Sequence, residues 1–524
     1  MTEKEFKETL SALGNSPEFD GIAKTRKKKN IIRAGIACAA AVLVAAAVTV
    51  VLLANSSGKG TKLHGGGEVL AGTATPADVD PEATPTEATP TPTEESATPT
   101  AKPTEAPTAT PDAGNTAYMS LPAGRGLKFL TNASFTTTRR KAAVSESFRQ
   151  NYTAFALELL KKTGSGNGTL VSPLSILTAT LMTAGGAKGE TLDEMLAVLA
   201  GGADLDSAYR EFFNFCESLT SSNNAKLESA NAVFVTDRGS FRINKRFIHE
   251  INETFRGQVA AADFTDGKTV DGINAWCNEH TDGMIPRVIS RENVNGDTVM
   301  ILLNAICFDA LWSEQFTENS VRDGVFHGTG GDRSVKMMSS REYYYFEGEN
   351  ETGFLKSYDG RYSFAAILPN EGVSTESYLK TLDAGTFLSL IGRDDGTAII
   401  SMPKFSFDWG SSLTGTLRDM GIVKAFDPLA ADLSGLGGFA DENGEVKGGA
   451  GSGLFIGNVI HKTHIDVDES GTRAAAVTAV IAPGGVAPGQ ESPKTVSLDR
   501  PFIYAIVDNA TKLPILIGVL NDIN

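Results

Sequence analysis

The sequence is poor in the residues from which metal centres and disulfide frameworks are built. It has four cysteines and six histidines in 524 residues, with no Cys-x-x-Cys pair and no other metal-ligand spacing. Cys38 lies in an apolar run, which leaves at most one disulfide open to the other three cysteines. Buried thiols are the expected state of Cys216, Cys277 and Cys307. We therefore predict neither a metal nor a cofactor.

Catalytic signatures are absent as well. The sequence contains no G-x-S-x-G nucleophile elbow, no HExxH, no P-loop and no complete GxGxxG. His461 and His464 resemble a ligand pair, but residues three apart on a strand point to opposite faces. We expect both to be structural or exposed, and no motif indicates an enzyme.

Positive charge is also in short supply. The chain has 47 Lys and Arg against 63 Asp and Glu, a formal net charge of −16. Binding to nucleic acid needs clustered Lys and Arg that contact phosphates. Nucleic acid is therefore not an expected partner.

One apolar run stands out near the N-terminus. Ala34–Ala54 is uncharged, and the basic stretch Lys24–Arg33 comes directly before it. A run of this length is able to span a hydrocarbon core of about 30 Å, and the basic flank places the N-terminus in the cytoplasm. We predict a cytoplasmic tail at 1–30 and a transmembrane helix at 31–54, with the remainder extracellular. A signal peptide cleaved after Leu52–Ala54 is the alternative.

Low-complexity sequence follows this run. Thr73–Pro111 repeats Thr-Pro and Ala-Thr-Pro steps with few apolar residues, and such a composition does not bury a core. We expect residues 55–143 to form an extended, disordered linker that holds a domain away from the membrane. Few cysteines, a lone anchor and a Thr-Pro stalk together indicate a bacterial cell surface.

A folded domain is expected from Val144 to Asn524. Helical spacing of apolar residues, interrupted by glycines, appears in NYTAFALELLKKTG and in SPLSILTATLMTAGGAKGETLDEMLAVL. Later segments are apolar enough for buried strands: ANAVFV, VMILLNAICF, SFAAILP, AIISMPKFSF, NVIHKTHIDV and FIYAIVD. Helices first and strands later predict an α+β fold rather than regular βαβ winding.

Motifs spread over this domain resemble those of the serpin family and occur in the family's order. They are SPLSI, GAKGETLDEM, NAVFV, INAWCNEHTDGMI, LLNAICFDALW, VKMM, ILP, MPKF, MGIVKAFDPLAADLSGL, VIHKTHIDVDESGTRAAAVT and RPFIYAIVDNATKLPILIGVL. The resemblance implies a fold of three β-sheets and about eight to nine helices with an exposed reactive-centre loop. It also implies an inhibitor of serine proteases that forms a covalent acyl complex with its target, and we expect a monomer.

The stretch Gly471–Pro493 carries the functional prediction. Side chains alternate along a strand, so a strand that starts at Gly471 has Thr472, Ala474, Ala476, Thr478 and Val480 on one face. These side chains are small enough to enter a sheet, while Arg473 stays on the solvent face. By resemblance, cleavage of the loop lets Gly471–Val480 become a central strand. A strand-forming segment that leads into a flexible peptide is what loop insertion requires.

The resemblance also assigns supporting residues. The hinge is Glu469, Gly471, Thr472, Ala474, Ala475, Ala476 and Thr478. A polar cluster under the sheet centre consists of Ser172, Ser175, Asn304 and His461. At the insertion mouth, Lys404 and Glu469 form an ion pair and Trp312 packs there. Arg473 departs from the acidic residue usual at its position, and Gly437–Gly453 is an insertion.

The scissile bond stays open between neighbouring positions, because the loop is longer than in typical inhibitors. Counting from the hinge gives Gly485–Val486, with Val486–Ala487 nearly equivalent, and counting back from Pro501 gives Gln490–Glu491. Small residues suit a shallow, elastase-like pocket. The main hypothesis is a membrane-anchored inhibitor of small-residue-specific serine proteases. The alternative is a non-inhibitory surface serpin that acts as a binding or adhesion module.

Overall fold

The computed structural model describes residues 43–54, 117–131, 139–471 and 494–523, apart from positions 165, 220, 222–224, 282, 359, 447 and 452. Within these residues helices precede most strands, so the predicted α+β class is confirmed. The helices are α1 Glu146–Thr163, α2 Pro173–Ala184, α3 Gly189–Ala200, α4 Leu205–Ser218, α5 Lys245–Glu253, α6 Gly267–His280, α7 Thr375–Thr381, α8 Ala384–Gly392 and α9 Thr414–Asp419.

The first helices follow the sequence signals closely. Ser145 caps α1 by accepting a hydrogen bond from the backbone N–H of Phe148, and Gly164 follows its last residue. Ser172 caps α2 in the same way, with Pro173 at the first helical position. All residues of α2 are buried, because the helix lies between two sheets and contacts strands of both.

The main sheet has seven strands in the order β15-β17-β1-β8-β5-β7-β3. Neighbouring strands are antiparallel except β5 and β7, which are parallel. The strands are β1 Leu43–Ala54, β3 Lys128–Phe129, β5 Ala225–Thr236, β7 Gln258–Ala262, β8 Thr298–Ala310, β15 Phe405–Ser412 and β17 Leu454–Val467.

Three further sheets complete the described fold. A six-stranded sheet has the order β11-β12-β13-β19-β20-β4, a four-stranded sheet β18-β14-β10-β9 and a small sheet β16-β6-β2. The small sheet is additional to the three expected, and its β16 shows that the insertion at Gly437 begins as a strand. Their bounds are β2 Tyr118–Ser120, β4 Gly168–Val171, β6 Phe241–Asn244, β9 Val321–Gly328, β10 Gly331–Glu342, β11 Tyr344–Glu347, β12 Glu351–Ser357, β13 Tyr362–Pro369, β14 Ala398–Pro403, β16 Gly437–Phe439, β18 Lys494–Ser497, β19 Phe502–Asp508 and β20 Pro514–Leu520.

The prediction of one strand over AIISMPKFSF is wrong in one respect. The segment forms two strands in different sheets. β14 ends at Pro403, and β15 begins at Phe405. Lys404 between them donates its backbone N–H to the carbonyl of Lys336. This bond continues the pairing of β10 and β14 by one residue, and the chain changes sheets directly after it.

Strand β1 corrects the expectation of a helix over Leu43–Ala54. In the structure these residues pair with β17 on one side and with β8 on the other. An uncharged run of Val, Ala and Leu has no period that separates a buried helix from a buried strand, and β-branched residues favour the strand. Among the residues the structure describes, no helix has the length and apolarity needed to cross a membrane. Positions 31–42 of the predicted span lie outside those residues.

Candidate functional site

The candidate site is the space in the main sheet between β8 and β17, here called the central slot. These two strands do not pair with each other, because β1 lies between them. The chain leaves β17 at Val467 and turns through Asp468–Ser470 to Gly471, which forms an isolated bridge with Leu311 just beyond the end of β8. The hinge therefore crosses one end of the slot, and this end is called the mouth.

Trp312 fastens the turn at the mouth. Its ring nitrogen donates to the backbone oxygen of Asp468 at 2.8 Å, and its backbone nitrogen donates to the oxygen of Ser470 at 3.3 Å. The indole is buried and stacks on Tyr358, with centroids 4.3 Å apart and planes 10° from parallel. The hinge thus begins from a fixed point.

Gly471 is required where it stands. Its φ is +84°, in the left-handed region that residues with a Cβ rarely adopt. An added Cβ would also collide with the backbone of Leu311 and Trp312. The predicted hinge therefore starts at a position that only glycine fits.

An ion pair flanks the mouth. Lys404 contacts Glu469, and both side chains are about one third exposed, at 30% and 39%. Burial opposes ionisation of Glu469, but the hydrogen bond and the charge of Lys404 outweigh it and lower the pKa. Lys404 and Glu469 are thus together, as the resemblance implies.

Asp468 is a titratable group of the mouth that sequence reasoning missed. Its side chain is buried, and burial together with the charges of Glu469 and Asp466 raises its pKa to about 6. The backbone N–H of Ser470 donates to its Oδ1 at 2.8 Å and acts in the opposite direction. The only sequence feature that could have indicated a buried carboxyl here is the position of Asp468 between a predicted strand and the hinge glycine.

A buried ion pair beneath the mouth was also missed. Lys356 donates to Glu342 at 2.7 Å and to the backbone oxygen of Glu314 at 3.0 Å. The ammonium lies 4.3 Å from the ring centroid of Phe316 and 5.4 Å from that of Trp312. A lysine inside the apolar stretch GFLKSY was the available signal, since a buried lysine needs a partner.

The polar cluster lies halfway along the slot, at a level called the centre. The backbone N–H of Ser172 donates to Nε2 of His461 on β17 at 3.0 Å, and the hydroxyl of Ser175 donates to Oδ1 of Asn304 on β8. All four residues are fully buried. The start of α2 thus holds the two strands that flank the slot.

Asn231 and Ser229 extend this cluster beyond the predicted set. The side-chain amide of Asn304 donates to Oδ1 of Asn231 at 2.7 Å and to Oγ of Ser229 at 3.2 Å. Asn231 lies directly opposite Asn304 in the ladder of β5 and β8. Two asparagines 73 positions apart carried no signal of this contact.

The remaining predicted residues follow Gly471 in the sequence and precede β18. Residues 472–493 lie outside the described part of the chain, and β18, which follows them, pairs in parallel with β14. The predicted residues in this segment are Thr472, Ala474, Ala475, Ala476, Thr478, Gly485, Val486, Ala487, Gln490 and Glu491.

The described residues contain no arrangement of side chains that would hold a metal. No group of three or more His, Cys, Asp or Glu side chains is arranged to hold a metal within them. His461 is buried at the centre, whereas His464 contacts Asp408 at 2.8 Å near the surface, so the two rings face opposite sides of β17 as expected. Burial raises the pKa of the Cys216 and Cys277 thiols to about 12, so neither is a thiolate nucleophile at neutral pH.

Comparisons with known proteins agree with this geometry. A protein-family model described as Serpin (serine protease inhibitor) matches residues 150–523. An uncharacterised serpin-like protein of Thermococcus kodakarensis is 32% identical over 373 residues, 70% of this chain and 83% of that protein. The leukocyte elastase inhibitor of Xenopus tropicalis is 29% identical over 392 residues, 71% of this chain and 98% of that protein.

A solved structure shows the same fold. The crystal structure of tengpin, a thermophilic serpin, in its native state has a TM-score of 0.66 and 35% sequence identity, and the match covers 73% of this chain and 96% of that one. The residues matched by the family model, 150–523, contain the two strands that flank the central slot, its mouth and the hinge glycine. The chain therefore belongs to the serpin family, whose members are generally inhibitors of serine proteases rather than catalysts.

Proposed function

We propose that this serpin inhibits serine proteases of small-residue specificity by inserting its reactive loop into the central slot. One observation carries the proposal. The slot accepts a further strand that is antiparallel to both neighbours, and the hinge at Gly471 stands at its mouth. A strand that continues from Gly471 would run in the same direction.

The register at the mouth predicts where each loop residue goes. Continuing the antiparallel pairing of Gly471 with Leu311 brings Thr472 opposite Ala310 and Thr478 opposite Asn304. The small side chains that alternation directs inward, Thr472, Ala474, Ala476, Thr478 and Val480, would then lie along the buried side of the sheet. This is the reason for preferring an inhibitor to a non-inhibitory surface serpin.

The chemistry is that of a protease acting on a substrate. The target's serine hydroxyl attacks the carbonyl carbon of Gly485, the amide bond to Val486 breaks, and the new amine of Val486 leaves with the proton. The ester that remains joins the target to Gly485. Insertion of Gly471–Val480 then adds ladder hydrogen bonds worth about 1 kcal/mol each and apolar burial worth about 25 cal/mol per Å².

The target class follows from the loop sequence. The segment IAPGGVA around Gly485–Val486 offers small residues, and no Lys or Arg lies between Arg473 and Lys494. Val486–Ala487 and Gln490–Glu491 are the alternative bonds. A relative named leukocyte elastase inhibitor supports a shallow, elastase-like pocket in the target.

The proposed location is the outer face of a bacterial cell membrane. The apolar run and its basic flank at Lys24–Arg33 support a single membrane span with the N-terminus in the cytoplasm. The Thr-Pro linker would then hold the domain 144–524 away from the surface. In this arrangement Leu43–Ala54 lies in the bilayer rather than in the main sheet.

The test is to incubate the full chain, reconstituted in lipid vesicles, with an elastase-like serine protease. We expect a complex that survives boiling in detergent and a new N-terminus at Val486 or Ala487. If every small-residue-specific protease tested cleaves the loop and stays active, the inhibitory function is wrong and the non-inhibitory binding module is favoured.

A further inference from the structure

The central slot already holds a strand of this chain. β1 pairs through ten residues with β17 and through eleven with β8. Of its side chains, Val50 is 0% and Leu52 1% exposed, and both belong to the main hydrophobic core. Helix α2, which fastens both flanking strands, also contacts β1. This strand therefore occupies the sheet as an internal element with hydrogen-bonded neighbours on both sides.

The position of β1 is the one that the reactive loop needs. Leu43 pairs with Asp309 of β8. Asp309 is two residues before Leu311, which forms the bridge with Gly471. Continuing that bridge along β8 would bring Arg473 opposite Asp309, in the place of Leu43. Further along, Val48 lies between Asn304 and His461, where the same register puts Thr478. Loop and strand cannot occupy this position together.

The two segments are alike in composition. Ala45–Val51 reads AAAVTVV and Ala474–Val480 reads AAAVTAV. When both segments are placed on β8 by their pairing, these two sequences are shifted by one residue relative to each other. The similarity therefore lies in their content of small and β-branched residues, not in residues at equivalent positions. The clearest difference is charge, because Leu43–Ala54 has no charged residue and the loop begins with Arg473. The N-terminal segment thus suits a buried central strand at least as well as the loop does.

We propose that the central slot is a binding site for the chain's own uncharged segment Leu43–Ala54, which competes there with the reactive loop. A chain with the slot filled by β1 does not inhibit proteases, and a chain from which β1 has been withdrawn does. Residues 55–117 join β1 to the domain, so the competition is intramolecular and independent of dilution. The effect on protease inhibition rests on the proposed function, whereas the binding of β1 and its competition with the loop sequence do not.

The first test is a cross-link that reports β1 in the slot. Ala45 pairs with Cys307 of β8, and directly opposite residues of an antiparallel pair lie on the same face at a distance that a disulfide spans. In the full chain, in buffer without lipid or detergent, we expect Ala45→Cys to form a disulfide with Cys307 under mild oxidation.

Ala46→Cys is the matched control, because its partner in the ladder is Ile306 and it should form no such bond. Failure of Ala45→Cys to cross-link, or equal cross-linking of both variants to Cys307, would overturn the proposal. A cross-link that runs at the size of a dimer would place the strand of a second copy in the slot and would overturn it too.

The second test evicts the strand. Val50→Arg puts a charge into a fully buried position of β1, whereas Val50→Ala keeps the position apolar. The probe is a labelled synthetic peptide of residues 472–483. We expect the Val50→Arg full chain to bind this peptide at least tenfold more tightly than the unmodified and Val50→Ala chains do.

Equal peptide binding by all three chains would show that β1 does not compete for the slot. Covalent complex formation with an elastase-like protease is then measured on the same samples. If Val50→Arg binds the peptide tightly yet forms no complex with any protease, the binding site stands and the proposed inhibitory function is what fails. The two proposals are thereby separated.

Discussion

The mouth and the centre of the central slot are built from different chemistry. At the mouth, Asp468 and Glu469 lie beside Lys404, and the ion pair is about one third exposed. At the centre, four polar residues are fully buried and hydrogen-bonded: Ser172, Ser175, Asn304 and His461. The ends of β8 and β17 are therefore joined at the mouth by the hydrogen bonds of Trp312, with an exposed ion pair beside them, and at the centre through buried polar side chains at the start of α2.

This difference indicates which part of the slot is free to change. Exposed ion pairs contribute about 0–1 kcal/mol, so separating Lys404 from Glu469 costs little. A buried polar group that loses its partner costs about 1–3 kcal/mol, and both flanking strands at the centre are bonded to α2. We infer that the ion pair at the mouth is easily broken, while separating the buried partners at the centre costs more.

The largest effect is expected from a charge carried to the centre by the loop. Thr478→Arg would bring an unpaired cation between Asn304 and His461, where no acidic side chain belongs to the cluster. With the chain reconstituted in vesicles, we expect the amount of covalent complex with the protease to fall by more than tenfold. The chain cleaved in its loop should form instead. Thr472→Arg should reduce the amount of covalent complex less, because the new arginine would lie beside the acidic residues Asp468 and Glu469.

Arg473→Lys serves as the control for this pair, because its side chain faces outward in the proposed strand and keeps a positive charge opposite Asp309. The ratio of complex to cleaved product, measured on denaturing gels, should stay within about twofold of the unmodified chain, which corresponds to about 0.4 kcal/mol. An equal loss for Thr472→Arg and Thr478→Arg would show that mouth and centre do not differ as described.

A smaller effect is expected from removing a bond at the centre itself. Asn304→Ala leaves the Ser175 hydroxyl and the Asn231 amide oxygen without this partner. We expect the free energy of unfolding to fall by about 2–4 kcal/mol. Ser229→Ala removes only one of two acceptors of the same amide and should cost about 0.5–1 kcal/mol. Denaturant unfolding measures both, and equal losses would contradict the role given to Asn304.

The mouth should show a pH dependence that arises from Asp468. The folded-state pKa of Asp468, about 6, lies above its ordinary value of 3.8. Such a carboxyl stabilises the folded state below its ordinary pKa and loses that contribution as the pH rises through 6. From pH 4 to 7 the unmodified protein should lose about 1–2 kcal/mol relative to Asp468→Asn. Parallel stability curves for the two proteins would refute the assignment.

The smallest effect is expected at the exposed ion pair. Lys404→Ala removes the partner of Glu469, and we expect a loss of less than about 1 kcal/mol of unfolding free energy, which salt should reduce further. Glu469→Gln should behave alike. Urea unfolding at low and high salt measures this effect, and a loss as large as that of Asn304→Ala would reverse the ranking of mouth and centre.

The parts of the site that sequence reasoning reached are those carried by local patterns. Gly471 sits in a hinge motif that a short segment displays, and the structure shows a positive φ there. Ser172 precedes a proline and a helical run, so its place at the start of α2 follows from capping rules. Such features depend on a few neighbouring residues.

The parts that it missed depend on pairing between distant segments. Lys356 and Glu342 lie on different strands, and their contact follows from how β10 and β12 come together. Asn231 meets Asn304 only through the register of β5 and β8. The assignment of Leu43–Ala54 as a helix was wrong in the structure, because an apolar run carries no information about which surface will cover it.

Strand β1 also makes the order of synthesis matter. Its flanking strands begin at Thr298 and Leu454, far downstream of Leu43, and chains emerge from the ribosome N-terminus first. The segment is therefore complete long before either wall of its binding site has been made. If the proposed membrane span forms, the bilayer takes up the segment before the competing site in the sheet exists. The main sheet then folds without β1. A segment that does not enter the bilayer can pair with β8 and β17 once they have formed, so timing would decide between the two locations proposed for it.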